Sequence, residues 1–248
     1  MRELIAALSA ESLKIHRTLA VRLAVAAPLL LVGLLTSAGI TSPNAIFRST
    51  DLSAAFARPI LTLWTLILLP MIAAIITTLL ADLDHREHHW DQLFALPVRR
   101  SSIFAAKGLI AVTVIWLASF VLFAAAIAAM AGFKWTSHRL AASAVPVGWM
   151  FRLLIRADVA SLLLIAILFW CSLRWRNFVV PLGVGVAGII SAIIMVQSRS
   201  VAASLWPWTA PAFAANLARS TTPLIIPAAV GIIVAVAACS HLARREWR

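Results

Sequence analysis

Long apolar runs, rather than a regular alternation of apolar and polar positions, dominate this chain. Six runs carry few charges and reach the roughly 20 residues that a helix needs to cross a hydrocarbon layer of about 30 Å. Backbone groups that face lipid must find their hydrogen bonds within their own segment, so each run is predicted to be an α-helix. We expect these spans at about 19–40, 60–81, 105–130, 149–173, 178–196 and 224–241.

Composition agrees with that pattern. Of the 248 residues, 62% are hydrophobic and only 12% are charged, whereas a soluble domain is nearer half apolar and a quarter charged. The sequence therefore predicts an all-α membrane protein. We expect a single transmembrane domain over residues 1–248, with six transmembrane helices and no separate soluble domain.

The segment before the first span has a different pattern. Leu4, Leu8 and Ile15 fall on one helical face, while Glu11 and Lys14 are among the residues that make the rest of the segment polar. This pattern predicts an amphipathic helix over residues 2–17 that lies on the inner leaflet. An ordinary charged N-terminal extension is the alternative.

Basic residues set the expected orientation. If the N-terminus is cytoplasmic, more Lys and Arg residues fall inside than outside, including the pairs Arg99–Arg100 and Arg244–Arg245. The positive-inside rule then predicts a multi-pass protein of the inner membrane with both termini in the cytoplasm. The net charge of +12 comes from residues that flank spans, so anionic lipid headgroups, and not nucleic acid, are the predicted partner.

The link between the second and third spans is the most informative stretch. Residues 82–107 read DLDHREHHWDQLFALPVRRSSIFAAK. On a helix, its apolar side chains share one face and its polar side chains point away, namely Leu83, Trp90 and Phe94 against Asp84, His88 and Asp91. Pro97 ends that helix, and Arg99 and Arg100 form a basic corner. Lys107 is expected at the beginning of the third span, where a long side chain can reach the lipid headgroups. A short amphipathic helix in this position can pass force between a soluble partner and the membrane.

Three histidines in that link raise the question of a metal site. His85 and His89 have the i, i+4 spacing of many zinc ligands, with His88 between them. The order of residues is neither HExxH nor its inverted form, so we expect a solvated polar face and no metal. The chain also lacks a nucleotide-binding loop of the GK[ST] type. It is therefore predicted not to be an enzyme and to carry no cofactor, with its energy supplied by another chain.

Asp158 is the most conspicuous charge in the apolar part of the sequence. It falls in the fourth segment with Arg156, and ionisable residues inside a membrane are candidates for a substrate path. In the alternative interpretation, the true span starts near Asp158 and these residues lie at the outer interface.

The link between the last two spans is unusually apolar. Residues 197–223 carry Pro207 and Pro211 beside Trp206 and Trp208. Proline interrupts helices and tryptophan favours the interface, so we predict short re-entrant or interfacial helices on the outer side. An ordinary ordered loop is the alternative.

Together these features resemble the permease subunit of an ABC-2 type transporter, and within it the branch of lantibiotic-immunity permeases. The likeness rests on the layout of six spans, the N-terminal helix with Glu11 and Lys14, and the residues of the link after span two: Glu87, Trp90, Leu93, Pro97, Arg100 and Lys107. The resemblance implies pairing with a second copy or a sister permease, and with separate subunits that bind ATP and magnesium. It also implies that the link is a coupling helix and the N-terminal helix an elbow helix.

The function expected from this resemblance is export of an amphipathic peptide or another hydrophobic substrate. The coupling residues are then expected to be Glu87, His88, Trp90, Leu93, Pro97, Arg99, Arg100 and Lys107. Three alternatives remain open. The chain could be an ATP-independent carrier built around Asp158, a membrane enzyme that uses His85, His88 and His89, or a membrane anchor that sequesters a partner.

Overall fold

Helices make up most of the fold. The computed structural model describes residues 2–15, 18–41, 51, 53–86, 100–136, 143–175, 177–198, 200–216 and 221–244. Those residues contain helices and no β-strand, which confirms the all-α prediction. We number the helices in chain order as α1 Arg2–Ile15, α2 Leu19–Thr41, α3 53–86, α4 Arg100–Thr136, α5 Val147–Ala160, α6 Leu162–Arg174, α7 Val179–Met195, α8 Val201–Leu205, α9 Ala210–Ala214 and α10 Thr222–Arg244.

A helix or helix pair lies at each of the six predicted spans, but the count of six crossings is not confirmed. Within the described ranges, four helices are long and apolar enough to cross a membrane alone, over Leu19–Thr41, Ala55–Leu83, Ser101–Trp135 and Thr222–Arg244. A fifth crossing exists if α5 and α6, which meet at an angle of 42°, form one span. Helix α7 is apolar but has only 17 residues, or roughly 26 Å at 1.5 Å per residue.

The described helices nearly match the predicted bounds of the first span and extend beyond those of the second and third. The second spanning helix begins at Ala55 instead of 60, and α4 is longer at both ends than the predicted 105–130. The apolar pattern predicts only a stretch long enough to cross lipid, and a helix can extend beyond that stretch. The amphipathic helix ends at Ile15, and residues 16 and 17 lie outside the described ranges.

Helix α3 is a nearly continuous helix with two wide turns. Its pieces follow one another as π-helical Ser53–Ala57, α-helical Arg58–Leu63, π-helical Trp64–Leu68 and α-helical Leu69–Arg86. Each wide turn precedes a proline, Pro59 or Pro70. A proline ring collides with the carbonyl four residues back and cannot donate to it. A wider turn relieves that collision, and the N–H of Leu69 accordingly bonds to the carbonyl of Trp64, five residues back.

Helices α3, α4 and α6 form the centre of the bundle. Helix α4 packs against α1, α2 and α3, while α6 packs against α3 and α10. Trp64, Ile115 and Leu164, one from each central helix, are fully buried. Of the four long apolar helices, α2 and α10 have the smallest share of buried residues, which fits helices at the periphery of the bundle.

The predicted fourth span consists of two helices that bend at Ser161. The hydroxyl of Ser161 donates to the carbonyl of Asp158 at 2.7 Å, and a serine that bonds to its own helix in this way favours a bend. Gly231 of α10 contacts the bend, since a Cβ there would lie 2.5 Å from the backbone nitrogen of Leu163. Small residues permit such close approach of membrane helices, so α10 rests directly on the backbone of the bend.

The apolar link after α7 contains the two short helices α8 and α9, as predicted. One of its two tryptophans, Trp208, differs from the expectation that tryptophans in this link lie at the interface. Trp208 is buried, and its indole packs on Gly188 of α7. Trp206 is more exposed and donates to the hydroxyl of Ser191 at 3.0 Å. The link is therefore fastened to α7 by both indoles.

Candidate functional site

Most of the predicted coupling residues lie outside the described residues. These are Glu87, His88, Trp90, Leu93, Pro97 and Arg99, together with His89. Arg100 is the first residue of α4, and Lys107 lies two turns further along that helix. The segment therefore begins at the end of α3 and ends at the start of α4, two of the three central helices.

Lys107 is buried instead of reaching towards the headgroups. Its side chain is 1% exposed, and its Nζ lies 2.7 Å from Oε2 of Glu11, which is 5% exposed. Glu11 belongs to α1, so the ion pair joins the N-terminal helix to α4. An ion pair removed from water holds together because separating the charges would leave each of them unpaired in apolar surroundings.

The position of Glu11 corrects the sequence interpretation of α1. Glu11 was expected on the polar part of the helix, but it is buried in line with Leu8 and Ile15, which also pack into the core. The spacing 8, 11, 15 is that of a single helical stripe. An acidic residue inside an apolar stripe is the signal that could have identified a buried partner.

A second buried polar contact joins three helices in the middle of the bundle. The hydroxyl of Ser119 on α4 donates to Oδ1 of Asp158 on α5 at 2.6 Å. The same hydroxyl accepts the indole N–H of Trp64 on α3 at 3.2 Å. Trp64 starts the second wide turn of α3, and Asp158 immediately precedes the bend at Ser161. At this contact, α3 and α5 therefore both depart from regular helical geometry, whereas α4 does not.

This contact fixes the surroundings of Asp158 within the protein. Its side chain is packed inside the bundle, 8% exposed, against the middle of the longest helix. Among the described residues, no lysine or arginine forms a salt bridge with it. Arg152 is exposed, and Arg156 donates from Nε to the carbonyl of Ala214 at 2.8 Å. Asp158 and Arg156, which were predicted to share a substrate path, therefore face different partners.

A third polar contact involves only hydroxyls. Ser172 of α6 donates to Oγ1 of Thr77 on α3 at 3.2 Å, and also to the carbonyl of Leu168 at 2.7 Å. Both side chains are buried. This pair lies between α3 and α6, away from α4, and carries no charge.

A cavity of about 620 Å³ opens between α3, α5 and the link that contains α9. Helix α3 lines it with Arg58, Leu61, Thr62 and Thr65. Neither Asp158 nor Arg156 is among its lining residues. The sequence interpretation missed this cavity, although polar residues at 58, 62 and 65 have the i, i+4, i+7 spacing of one helical stripe.

No metal centre is found in the described part of the chain. Groups of three or more His, Cys, Asp or Glu side chains in ligating positions are absent from it. The side chain of His85, together with His88 and His89, falls outside what the structure describes, so the prediction about that cluster stays a prediction.

One comparison with known proteins gives a match. The model of a family described as ABC-2 family transporter protein matches residues 7–193. No curated protein and no solved structure matches the chain. The matched range runs from within α1 to near the end of α7.

Proposed function

The chain belongs to the ABC-2 transporter family, and we propose that it is the permease subunit of an ABC exporter driven by a separate ATP-binding subunit. The match over residues 7–193 carries this proposal. That range includes most of α1, the whole link 82–107 and the three central helices. The protein is accordingly a multi-pass membrane component of a transporter.

In this proposal the link 82–107 contains the helix that docks on the ATPase. The docking face would be made by Glu87, Trp90 and Leu93, with His88 beside it. The corner that follows would be fixed by Pro97, Arg99 and Arg100. The connection of this link to α3 and α4 supports the assignment. A displacement of the docked helix would act on two central helices at once.

Helix α1 would move with α4. The Glu11–Lys107 pair holds α1 against α4 two turns after the start of α4. Breaking it would leave two charges unpaired in apolar surroundings. The proposed elbow helix is thus tied to the helix that receives the motion. Lys107 contributes to coupling through this tie, and its burial leaves it no direct docking role.

Helix α4 is suited to carry the motion into the membrane. Its 37 residues extend roughly 55 Å at 1.5 Å per residue. Lys107 and Ser119 lie on this one helix, roughly 18 Å apart by the same rise. A shift at the link would therefore change how Ser119 meets Asp158, and ATP binding would shift the population between two arrangements of the bundle.

The proposed assembly contains further partners. A second copy or a sister permease would complete the membrane unit, and the ATPases would bind ATP and magnesium. The basic pairs at 99–100 and 244–245 favour an inner-membrane protein with both termini cytoplasmic. The proposed cargo is an amphipathic peptide or another hydrophobic molecule.

A pull-down experiment tests this function. The chain is co-expressed with each ATP-binding cassette subunit of its own source organism in turn, purified through a tag on the chain, and assayed for bound ATPase. Glu87→Arg should abolish co-purification, because it reverses a charge on the proposed docking face. Asp91→Arg, the same reversal on the face predicted to point away, should leave it intact.

Both variants should reach the membrane fraction at the wild-type level. If the wild-type chain retains no ATPase, the proposed function is wrong. If Glu87→Arg retains as much ATPase as Asp91→Arg does, the docking face is wrongly assigned.

A further inference from the structure

The cavity beside α3 has a polar mouth and an apolar interior. Arg58, Thr62 and Asn216 line it and are exposed, whereas Leu61 and Phe213, which also line it, are almost completely buried. Its volume of about 620 Å³ lies within the range of about 300 to 1000 Å³ that is usual for small-molecule sites. Shape and polarity together fit a molecule with one polar end and one apolar end.

Of the described α3 residues that line the cavity, Arg58 is the one whose side chain has unused hydrogen-bond donors. The hydroxyls of Thr62 and Thr65 donate to carbonyls of their own helix, those of Arg58 and Leu61, at 2.9 and 2.7 Å. Among the residues that the structure describes, the Arg58 guanidinium has no hydrogen-bond or ion-pair partner. It therefore offers a free, permanently charged group with five N–H donors at the mouth.

The charge of the surroundings favours an anion. No acidic residue is among the described residues that line the cavity. A second arginine, Arg156, lies close to the cavity without lining it. Its Nε donates to the carbonyl of Ala214, the residue between the lining residues Phe213 and Ala215. The Nη2 atom of Arg156 is buried and has no hydrogen-bond partner in the described ranges. A negative group in the cavity would thus meet one arginine at the mouth and the field of a second.

We propose that this cavity binds an anionic single-chain amphiphile, a molecule with one carboxylate or phosphate head and one apolar tail, as the cargo of the transporter. The head pairs with Arg58 at the mouth, and the tail lies against Leu61, Leu153 and Phe213. The cargo assignment rests on the proposed function, whereas the binding itself needs no ATPase. A cationic amphiphile is disfavoured because it would place like charges together.

Binding is tested on the purified full-length chain in detergent by native mass spectrometry. The probes are lysophosphatidic acid, the neutral monoacylglycerol and a cationic alkylamine with the same chain length. Lysophosphatidic acid should form a 1:1 complex at concentrations where the other two do not. Arg58→Gln should weaken that complex about tenfold or more, since a hydrogen bond to a charged group is lost.

Two further variants complete the design. Arg152→Gln removes an exposed arginine of α5 that is not among the lining residues, and it should bind like the wild type. Ala212→Trp fills the cavity from its wall and should weaken binding without removing a charge. Equal binding by all variants, or a preference for the neutral or cationic probe, would overturn the proposal.

The cargo assignment needs one additional measurement, in vesicles that contain the chain and its ATPase. ATP should move bound lysophosphatidic acid across the membrane, and Arg58→Gln should slow this movement while still retaining the ATPase. A probe that binds but is not moved by an otherwise active complex overturns the cargo assignment. A wild-type chain that retains no ATPase overturns the proposed function and leaves the binding result standing.

Discussion

Two buried polar contacts on the same helix, α4, differ in kind. Near the start of α4, Lys107 pairs with Glu11 at 2.7 Å, so that two opposite charges satisfy each other. Near its middle, the Ser119 hydroxyl meets Asp158 at 2.6 Å, so that a carboxyl group is held by a neutral donor. Both contacts are short and nearly closed to solvent, but only the first joins two charges.

Because of this difference, we expect the Glu11–Lys107 pair to stay closed and the Ser119–Asp158 contact to rearrange. Opening the Glu11–Lys107 pair would leave two charges without partners in apolar surroundings, which makes the pair resistant to rearrangement. A hydroxyl can exchange one acceptor for another at little cost, and polar contacts between membrane helices contribute modestly, on average about 0.6 kcal/mol. We therefore expect α1 and α4 to move as one body, and α5 to change position relative to them.

The backbone around the two contacts supports the same distinction. Helices α1 and α4 are regular α-helices where Glu11 and Lys107 meet. By contrast, Trp64 begins a π-helical turn and Asp158 precedes the 42° bend at Ser161. Departures from regular helix often mark hinges and functional sites. One of the two wide turns of α3 and the bend at Ser161 therefore lie at the contact that we expect to rearrange.

Breaking the ion pair should have the largest effect on stability. Lys107→Met leaves the Glu11 carboxylate buried beside an apolar side chain, and the loss of one partner of such a pair costs about 3 to 5 kcal/mol. The apparent melting temperature in detergent and the amount of protein in the membrane fraction should both fall. The double variant with Glu11→Gln removes the stranded charge, so it should recover much of the loss. A double variant no more stable than Lys107→Met alone would mean that Glu11 is not the partner that matters.

Removing the central hydroxyl should have an intermediate effect. Ser119→Ala deprives both Asp158 and Trp64 of their shared partner and should cost about 1 to 2 kcal/mol, measured by thermal unfolding in detergent. Thr113→Ala is the matched control, because that exposed hydroxyl of α4 donates only to the carbonyl of Leu109. If the two variants are equally stable, the contact at Asp158 does not hold α4 to α5.

The uncharged contact should matter least. Ser172→Ala removes a hydroxyl that bonds to Thr77 at 3.2 Å and leaves no charge behind. Its cost should be about 0.5 kcal/mol in the same assay, near the average for polar contacts between membrane helices. If Ser172→Ala loses as much stability as Ser119→Ala, then the carboxyl group of Asp158 adds nothing to the strength of its contact, and the expected order of effects is wrong.

Particular residues show how far the site could be predicted. Asp158 was identified because a charge inside an apolar run is costly wherever the helix packs. Its partner Ser119 gave no comparable signal, since a serine in a membrane helix commonly bonds to its own backbone. Arg58 was not singled out because it lies near a span end, where arginines are ordinary. The role of each partner depends on which helices are neighbours, and spacing along one helix does not specify that.

The sequence by itself determined that this is an all-helical membrane protein, because apolar length and backbone hydrogen bonding in lipid leave no other solution. It also located the amphipathic first helix and the short helices of the link 197–223. Only the tertiary structure decided that Glu11 faces inward, that the fourth segment bends at Ser161, and that a cavity opens beside Arg58. The burial of Glu11 and the cavity arise from contacts between residues far apart in the chain, and α10 packs on the bend from a distant part of the sequence. Hydrophobicity assigns each residue to lipid or protein, but close packing of particular side chains decides what each buried charge meets.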